Sequence, residues 1–337
     1  MEQISLRSRR GVSAGLDPST FPWPRPTPMV SRTRLPDAPA VQPRRGLAWM
    51  LGATAALVVM NTAAKLLRED GFGTGEIIFY RTAPGLVWLW LDLRRRQLSL
   101  RPVRGDLVFL RSAFGVLAMA ANFYAVRALA LVQNQVLHLM QPVFVALFAP
   151  LVLRERLRLP VLMALGLAAT GALVVLAPQG DLSTLPVVPA LVGLASAVFS
   201  ALAHVTIRKT VATEAPELVV FHFALAAALV GLGWGVVVGD FQLGHLSAMN
   251  LALVATTALF GTLGQLWMTR AYGQAPASEI AMVAYAAIPM SLGVDILLWD
   301  AHAGISALGG AGLMVVAGWM IARKPREQIS PPQPGQP

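Results

Sequence analysis

Long apolar stretches alternate with short polar connections along most of this chain. Ten of these stretches are long enough to cross a bilayer, because a membrane-spanning helix needs about 20 mostly apolar residues. They lie at 47–67, 74–93, 107–127, 132–153, 159–177, 187–207, 217–238, 248–269, 277–298 and 304–322. The pattern predicts an all-α integral membrane protein with ten transmembrane helices.

Arginine and lysine are concentrated in every second connection. The basic groups are Arg44 and Arg45; Arg94, Arg95, Arg96, Arg101 and Arg104; Arg154, Arg156 and Arg158; Arg208 and Lys209; Arg270; and Arg323, Lys324 and Arg326. Because cytoplasmic loops are enriched in these residues, both termini are expected in the cytoplasm and the chain in the cell inner (plasma) membrane. The net charge of +10 therefore belongs to the loops and tails, and no nucleic-acid partner is expected.

The two ends of the chain have a different composition. Residues 1–45 are rich in proline, serine and arginine, and such a segment buries too little apolar surface to offset the entropy of ordering it. We interpret it as a disordered tail, or as an extension upstream of a chain that starts near Met29. Residues 324–337 are expected to form a cytoplasmic tail.

A weak internal repeat links the two halves of the chain. Asn122–Leu129 and Gln265–Tyr272 share an amide, an aromatic residue, an arginine and an alanine in the same order, 143 positions apart, and Pro142 matches Pro289 at a separation of 147. The copies are five predicted helices apart and so enter the membrane in opposite directions. Inverted repeats with a site at their interface are a common plan of secondary transporters.

Four segments resemble the drug/metabolite transporter superfamily, in its ten-helix EamA-type branch. They are Ile77–Ala83, Tyr124–Ala130, Gln141–Leu147 with Leu153–Leu157, and Leu165–Val175. The resemblance implies two inverted five-helix repeats, over 46–180 and 186–323. It also implies transport of a small metabolite, more often export than import.

Two charged residues, Glu76 and Arg81, fall within the first half of the second predicted helix. A charge at the centre of a membrane costs about 2.5–3.5 kcal/mol on insertion scales, so Arg81 is a candidate by default. Its guanidinium matches a carboxylate in geometry, and we expect it to bind an anionic substrate. The alternative is a structural ion pair with Glu76.

Polar residues recur on one face of the fourth predicted helix. Asn134, His138 and Gln141 have spacings of 4 and 3, which align them in a helix. They either line a cavity or form hydrogen bonds between helices. His138 is also a candidate proton carrier, as is Glu76, so proton coupling and facilitated diffusion both stay open.

Further candidates lie on the sixth helix and among the aromatic residues. Ser200 and His204 belong to a polar stripe with a spacing of four and are expected to face the cavity. Tyr124, Trp267 and Tyr285 are candidates for stacking on a substrate, with packing between rings as the alternative.

Several classes of protein lack support in the sequence. There is no cysteine, no Walker loop and no group of side chains with metal-ligand spacing, so no cofactor or metal is expected.

The partners expected are the lipid bilayer and a small molecule, and a homodimer is compatible with this plan. An amino acid or an amino-acid-derived carboxylate, such as an opine-like metallophore, fits Arg81 with the amides and aromatics. An importer and a membrane-embedded enzyme or sensor are the alternatives.

Overall fold

The structure, a computed structural model, describes residues 42–129, 134, 137–176, 186–239, 241, 247–300 and 304–322, which form helices joined by short connections. Its helices are α1 Pro43–Glu69, α2 Thr74–Arg95, α3 Gly105–Ala128, α4 Gln141–Leu153, α5 Leu159–Leu176, α6 Val187–Thr210, α7 Pro216–Val238, α8 Ala248–Gln274, α9 Ala277–Val283, α10 Ala287–Trp299 and α11 Ile305–Ala322. No strand occurs in these ranges, which confirms the all-α prediction. Nearly all of the two predicted tails lies outside them.

Six helical stretches are long and apolar enough to cross a membrane. They are Pro43–Glu69, Gly105–Ala125, Val187–Thr210, Pro216–Val238, Ala248–Gln274 and Ala277–Leu298. Three shorter apolar helices are Gln141–Leu153, Leu159–Val175 and Ile305–Met320. The helix α2 is less apolar because it carries Glu76 and Arg81 within its length.

The helices pack in pairs that join the first half of the chain to the second. The most extensive contacts are α1 with α8, α3 with α6, α2 with α7 and α5 with α11, and α4 packs on α6 and α9. The buried core lies along these pairs and is built from residues such as Val145, Val205 and Ile280.

The outer surface of the bundle is strongly apolar. Val237 is 86% exposed, Leu297 81% and Ile305 92%. Large apolar side chains exposed over many helices are unfavourable in water but natural against lipid tails. The surface therefore agrees with a bundle that sits in a bilayer.

The helices α5 and α11 approach each other most closely at two glycines. A Cβ atom added at Gly171 would lie 2.6 Å from the carbonyl oxygen of Gly310, and one added at Gly310 would meet the carbonyl oxygen of Gly171. Small residues at such crossings let two backbones come into direct contact. The crossing therefore requires glycine on both helices.

Candidate functional site

The fourth predicted span is interrupted in the middle, just after His138. The next two residues form a turn, and a new helix, α4, begins at Gln141. Pro142 explains the break, because proline has no N–H to donate and its ring clashes with the preceding helical turn. The carbonyl of Leu139, at the turn, accepts a hydrogen bond of 2.8 Å from the hydroxyl of Tyr285.

The ninth predicted span is irregular at the matching position. One 3₁₀ turn, Ala284–Ala286, separates α9 from α10, three residues before Pro289. Tyr285 lies within this turn, so its hydrogen bond joins the two irregular points directly. Interrupted helices expose backbone groups, and in a membrane protein they are tolerated where protein or a cavity surrounds them.

Polar side chains gather beside the break in the fourth span. Nε2 of Gln141 lies 2.6 Å from Nδ1 of His204 on α6. With the amide nitrogen as donor, Nδ1 is the acceptor. The ring of Tyr272 on α8 lies 5.3 Å from the imidazole of His204, centroid to centroid. His138 is within electrostatic range of the same imidazole.

A buried arginine on α3 extends this group. Arg111 is only 2% exposed, and its Nη2 donates to Oε1 of Gln265 on α8 at 3.1 Å. Its guanidinium carbon lies 4.1 Å from the ring centroid of Phe223 on α7, a cation–π contact. It is also within electrostatic range of His204 and Tyr272. We call Arg111, His138, Gln141, His204, Gln265 and Tyr272 the polar cluster.

Two buried atoms of the polar cluster have no hydrogen-bond partner in the described structure. They are Nε of Arg111 and Nδ1 of His138. Buried polar groups are nearly always hydrogen-bonded, so each exception calls for an explanation. Together they give the cluster an unused capacity to bind a polar molecule.

Ion pairs close the end of the bundle at which Arg96, Arg104, Arg208 and Arg270 lie, which we call the basic end. Glu217, in the first turn of α7, accepts from Nη2 of Arg270 on α8 at 2.7 Å and from Nη1 of Arg96 at 3.4 Å. Its side chain is 5% exposed. This carboxylate therefore ties α7 to α8 and α2 below the polar cluster.

A second carboxylate at the basic end, that of Glu155, contacts α6 and α9. Glu155 accepts from Nε of Arg208 on α6 at 3.2 Å and from the backbone N–H of Ala277, the first residue of α9, at 2.8 Å. Nη1 of Arg208 also donates to the carbonyls of Tyr272 at 2.9 Å and Gly273 at 3.1 Å, near the end of α8. Arg208 therefore caps a helix and does not extend away from the bundle.

Known proteins resemble this helical bundle and its sequence. The EamA-like transporter family matches residues 44–177. A pseudopaline exporter, CntI, of Pseudomonas aeruginosa is 31% identical over 267 residues, which are 79% of this chain and 91% of that protein. The chain belongs to the EamA-like transporter family. It is therefore a multi-pass membrane transporter and not an enzyme.

Two more distant relatives of this EamA-like transporter are also named as transporters. An uncharacterized transporter of Helicobacter pylori is 27% identical over 82% of this chain and 94% of its own length. A probable biotin transporter of Pseudomonas aeruginosa is 26% identical over 73% of this chain and 86% of its own length. A solved crystal structure that covers 82% of this chain, with a TM-score of 0.70 and 19% identity, has the same fold.

Some of the predicted site residues of this EamA-like transporter come together. His138, Gln141 and His204 all belong to the polar cluster, and Tyr285 lies beside it through Leu139. Ser200 is half-buried one turn from His204 on the same face of α6. Of the two residues predicted on the sixth helix, His204 is therefore the one that joins the polar cluster.

Other predicted residues lie elsewhere. Nδ2 of Asn134 donates to Oδ1 of Asn122 on α3 at 2.8 Å, an interhelical pair. Glu76 is 1% exposed and lies near Tyr80, one turn further along α2. Arg81 is half-buried, and no ion pair joins it to Glu76 in the described structure.

The two remaining aromatic candidates are not members of the polar cluster. Tyr124 is 52% exposed on α3. Trp267 lies against α1, where its ring centroid is 6.0 Å from that of Trp49, and both line an open groove of about 370 Å³ with Arg45. A stacking role for either ring stays a prediction.

Sequence reasoning missed Arg111, Gln265 and Tyr272. Arg111 falls within the third predicted helix, so the cost of a charge in a membrane span identifies it by the same reasoning as Arg81. Gln265 and Tyr272 are the first and last residues of the repeated motif. That motif identified the repeat but did not indicate which of its side chains face inward.

Proposed function

We propose that this transporter exports a small, carboxylate-bearing metabolite through a path that passes the polar cluster. The observation that carries the proposal is a cluster of polar side chains beside the break in the fourth span, inside an apolar bundle. Transporters bind substrates near the bilayer midplane at such discontinuous helices. The relative that is named a pseudopaline exporter supports export as the direction.

The proposed architecture is ten spans in two inverted five-helix repeats. The helix pairing supports it: exchanging the halves turns the α1–α8 pair into the α3–α6 pair, whereas α2–α7 and α5–α11 each map onto themselves. The turn before Pro142 and the 3₁₀ turn before Pro289 are related in the same way.

The proposed orientation has both termini in the cytoplasm and the basic end at the cytoplasmic face of the inner membrane. The concentration of arginine at that end supports it through the enrichment of cationic residues in cytoplasmic loops. The ion pairs of Glu155 and Glu217 then form the cytoplasmic closure of the bundle.

The proposed substrate class is an amino acid or an amino-acid-derived carboxylate, such as an opine-like metallophore. His138, Gln141 and His204 offer it hydrogen bonds at the centre of the bundle. Arg81 is proposed as an anion contact of the transport path, since it lies inside α2 and has no carboxylate partner among the described residues.

The experiment has two steps. Comparing the metabolites retained by cells with and without the gene identifies candidates, since loss of an exporter should raise the internal level of its substrate. The candidate is then offered to inside-out membrane vesicles that contain the purified protein. We expect saturable uptake that excess unlabelled compound blocks.

A double variant, His204→Leu with Gln141→Leu, tests the role of the cluster because it removes the 2.6 Å contact. Leucine fills much of the same space at both positions but cannot form hydrogen bonds. Uptake by the double variant equal to that of the wild type would overturn the role of the cluster. Uptake only into right-side-out vesicles would overturn export.

A further inference from the structure

The charge on Arg111 is not balanced by any described residue. No other arginine whose side chain is described is buried to 2% exposure. Arg208 and Arg270 each have a carboxylate within 3.2 Å, whereas no ion pair includes Arg111 in the described structure. A guanidinium that is buried in a membrane protein without a counter-charge is a functional candidate by default.

The contacts that Arg111 does make leave most of its hydrogen-bonding capacity unused. A guanidinium has five N–H donors. One donates to the amide oxygen of Gln265, the face of the group lies against Phe223, and Nε has no partner. Gln265 and Phe223 therefore hold the group in place without neutralising it.

The backbone is shaped to leave room for the guanidinium. Gly115 lies one turn beyond Arg111 on α3, and a Cβ atom at that position would come within 2.6 Å of Nη1 of Arg111 and 2.7 Å of Phe223. A larger residue at 115 would make the guanidinium or the ring shift from its present position. Glycine at 115 therefore leaves space for the observed stacking.

We propose that Arg111 binds the carboxylate of the transported metabolite, an inference that rests on the transport function proposed above. Gln265 orients the guanidinium, and Tyr272 and His138 contact the remainder of the molecule. Nδ1 of His138 is buried and has no partner among the described residues. The arginine fork pairs with two carboxylate oxygens at once, which favours a carboxylate over a neutral amide.

Ligand binding can be measured without transport. The purified protein in detergent is heated with benzoate, L-histidine or N-(1-carboxyethyl)-L-histidine, and separately with the corresponding compound in which each carboxylate is replaced by an uncharged carboxamide group. We expect at least one carboxylate to raise the melting temperature more than its amide does. If no carboxylate of the panel exceeds its amide, the proposal is overturned.

Three variants test whether Arg111 causes the preference for a carboxylate over its amide. Arg111→Gln should abolish it, and Arg111→Lys should weaken carboxylate binding by about 10- to 150-fold, the range expected for a charge-assisted hydrogen bond. Gln265→Glu is the sharpest variant. It gives Arg111 a carboxylate 3.1 Å away in the protein itself, so the chain should fold and yet lose the preference.

Asn122→Asp is the matched control, because Asn122 occupies the position of Gln265 in the first repeat and contacts Asn134 instead of Arg111. It should keep the preference. A Gln265→Glu protein that folds and still prefers carboxylates would overturn the proposal, even if Arg111→Gln fails to fold. Absence of vesicle uptake alongside an Arg111-dependent preference would overturn the transport function and leave the anion site standing.

Discussion

Replacing Gly171 with alanine should separate two helices that are in backbone contact. The new Cβ atom would lie 2.6 Å from the carbonyl oxygen of Gly310 and 3.0 Å from Cβ of Leu313. Neither neighbour can move alone, because one is backbone and the other is the stem of a side chain. The strain must therefore be relieved by moving α5 and α11 apart.

The size of the effect follows from these distances. Ordinary contact of a Cβ atom begins at 3.4 Å, so the helices must separate by about 0.8 Å from the 2.6 Å of the unrelaxed variant. A gap of 0.5–1 Å forfeits roughly a quarter to a half of the dispersion energy across the contact. Overpacking of a tight core costs about 1–3 kcal/mol, and the same loss of stability is expected here.

The assay is the melting temperature of the purified protein in detergent, compared with two glycines in open surroundings. At Gly166 on α5 and Gly309 on α11, an added Cβ atom would have no neighbouring atom within 4 Å. Alanine at these positions should leave the melting temperature unchanged or raise it, because alanine favours a helix by about 1 kcal/mol over glycine. Equal melting temperatures for Gly171→Ala and Gly166→Ala would refute the close approach.

Three further predictions concern topology, the substrate and the basic end. Reporter fusions after residue 98 should report the cytoplasm and those after residue 182 the opposite side, and the reverse result would refute the proposed orientation. Arg81→Lys should lower substrate affinity in a binding assay by about 10- to 150-fold with an unchanged melting temperature; the opposite combination would make Arg81 structural. Glu217→Gln should lower stability by about 1–3 kcal/mol, seen as a lower melting temperature, because Arg270 loses its carboxylate; an unchanged value would mean that solvent already screens the pair.

The extents of the helices were largely predictable, because hydrophobic length and flanking charge act locally. The span predicted at 217–238 corresponds to Pro216–Val238, and the one at 47–67 to Pro43–Glu69. Pro142 lies in the fourth span, and the structure has a turn just before the helix that contains it. The 3₁₀ turn at Ala284–Ala286 was not predicted, although a proline, Pro289, follows it as Pro142 follows the turn in the fourth span.

Which side of a helix faces inward was much harder to predict. In a bilayer both the lipid and the protein interior accept apolar side chains, so the sequence carries little of the amphipathic pattern that orients helices in water. Trp267 and Tyr124 are equivalent in the repeated motif, yet one packs on α1 and the other is exposed. Arg111 lies in a predicted span, and the sequence alone does not show that its side chain faces the interior.

The hydrogen bond from Tyr285 to the carbonyl of Leu139 makes the motion of two spans depend on hydration. If the spans part while the region is dry, that carbonyl loses its only described donor in a hydrocarbon-like medium, at a cost of several kcal/mol. If water enters first, it replaces the hydroxyl at almost no cost. Separating these two spans therefore costs less free energy once water has reached the carbonyl of Leu139.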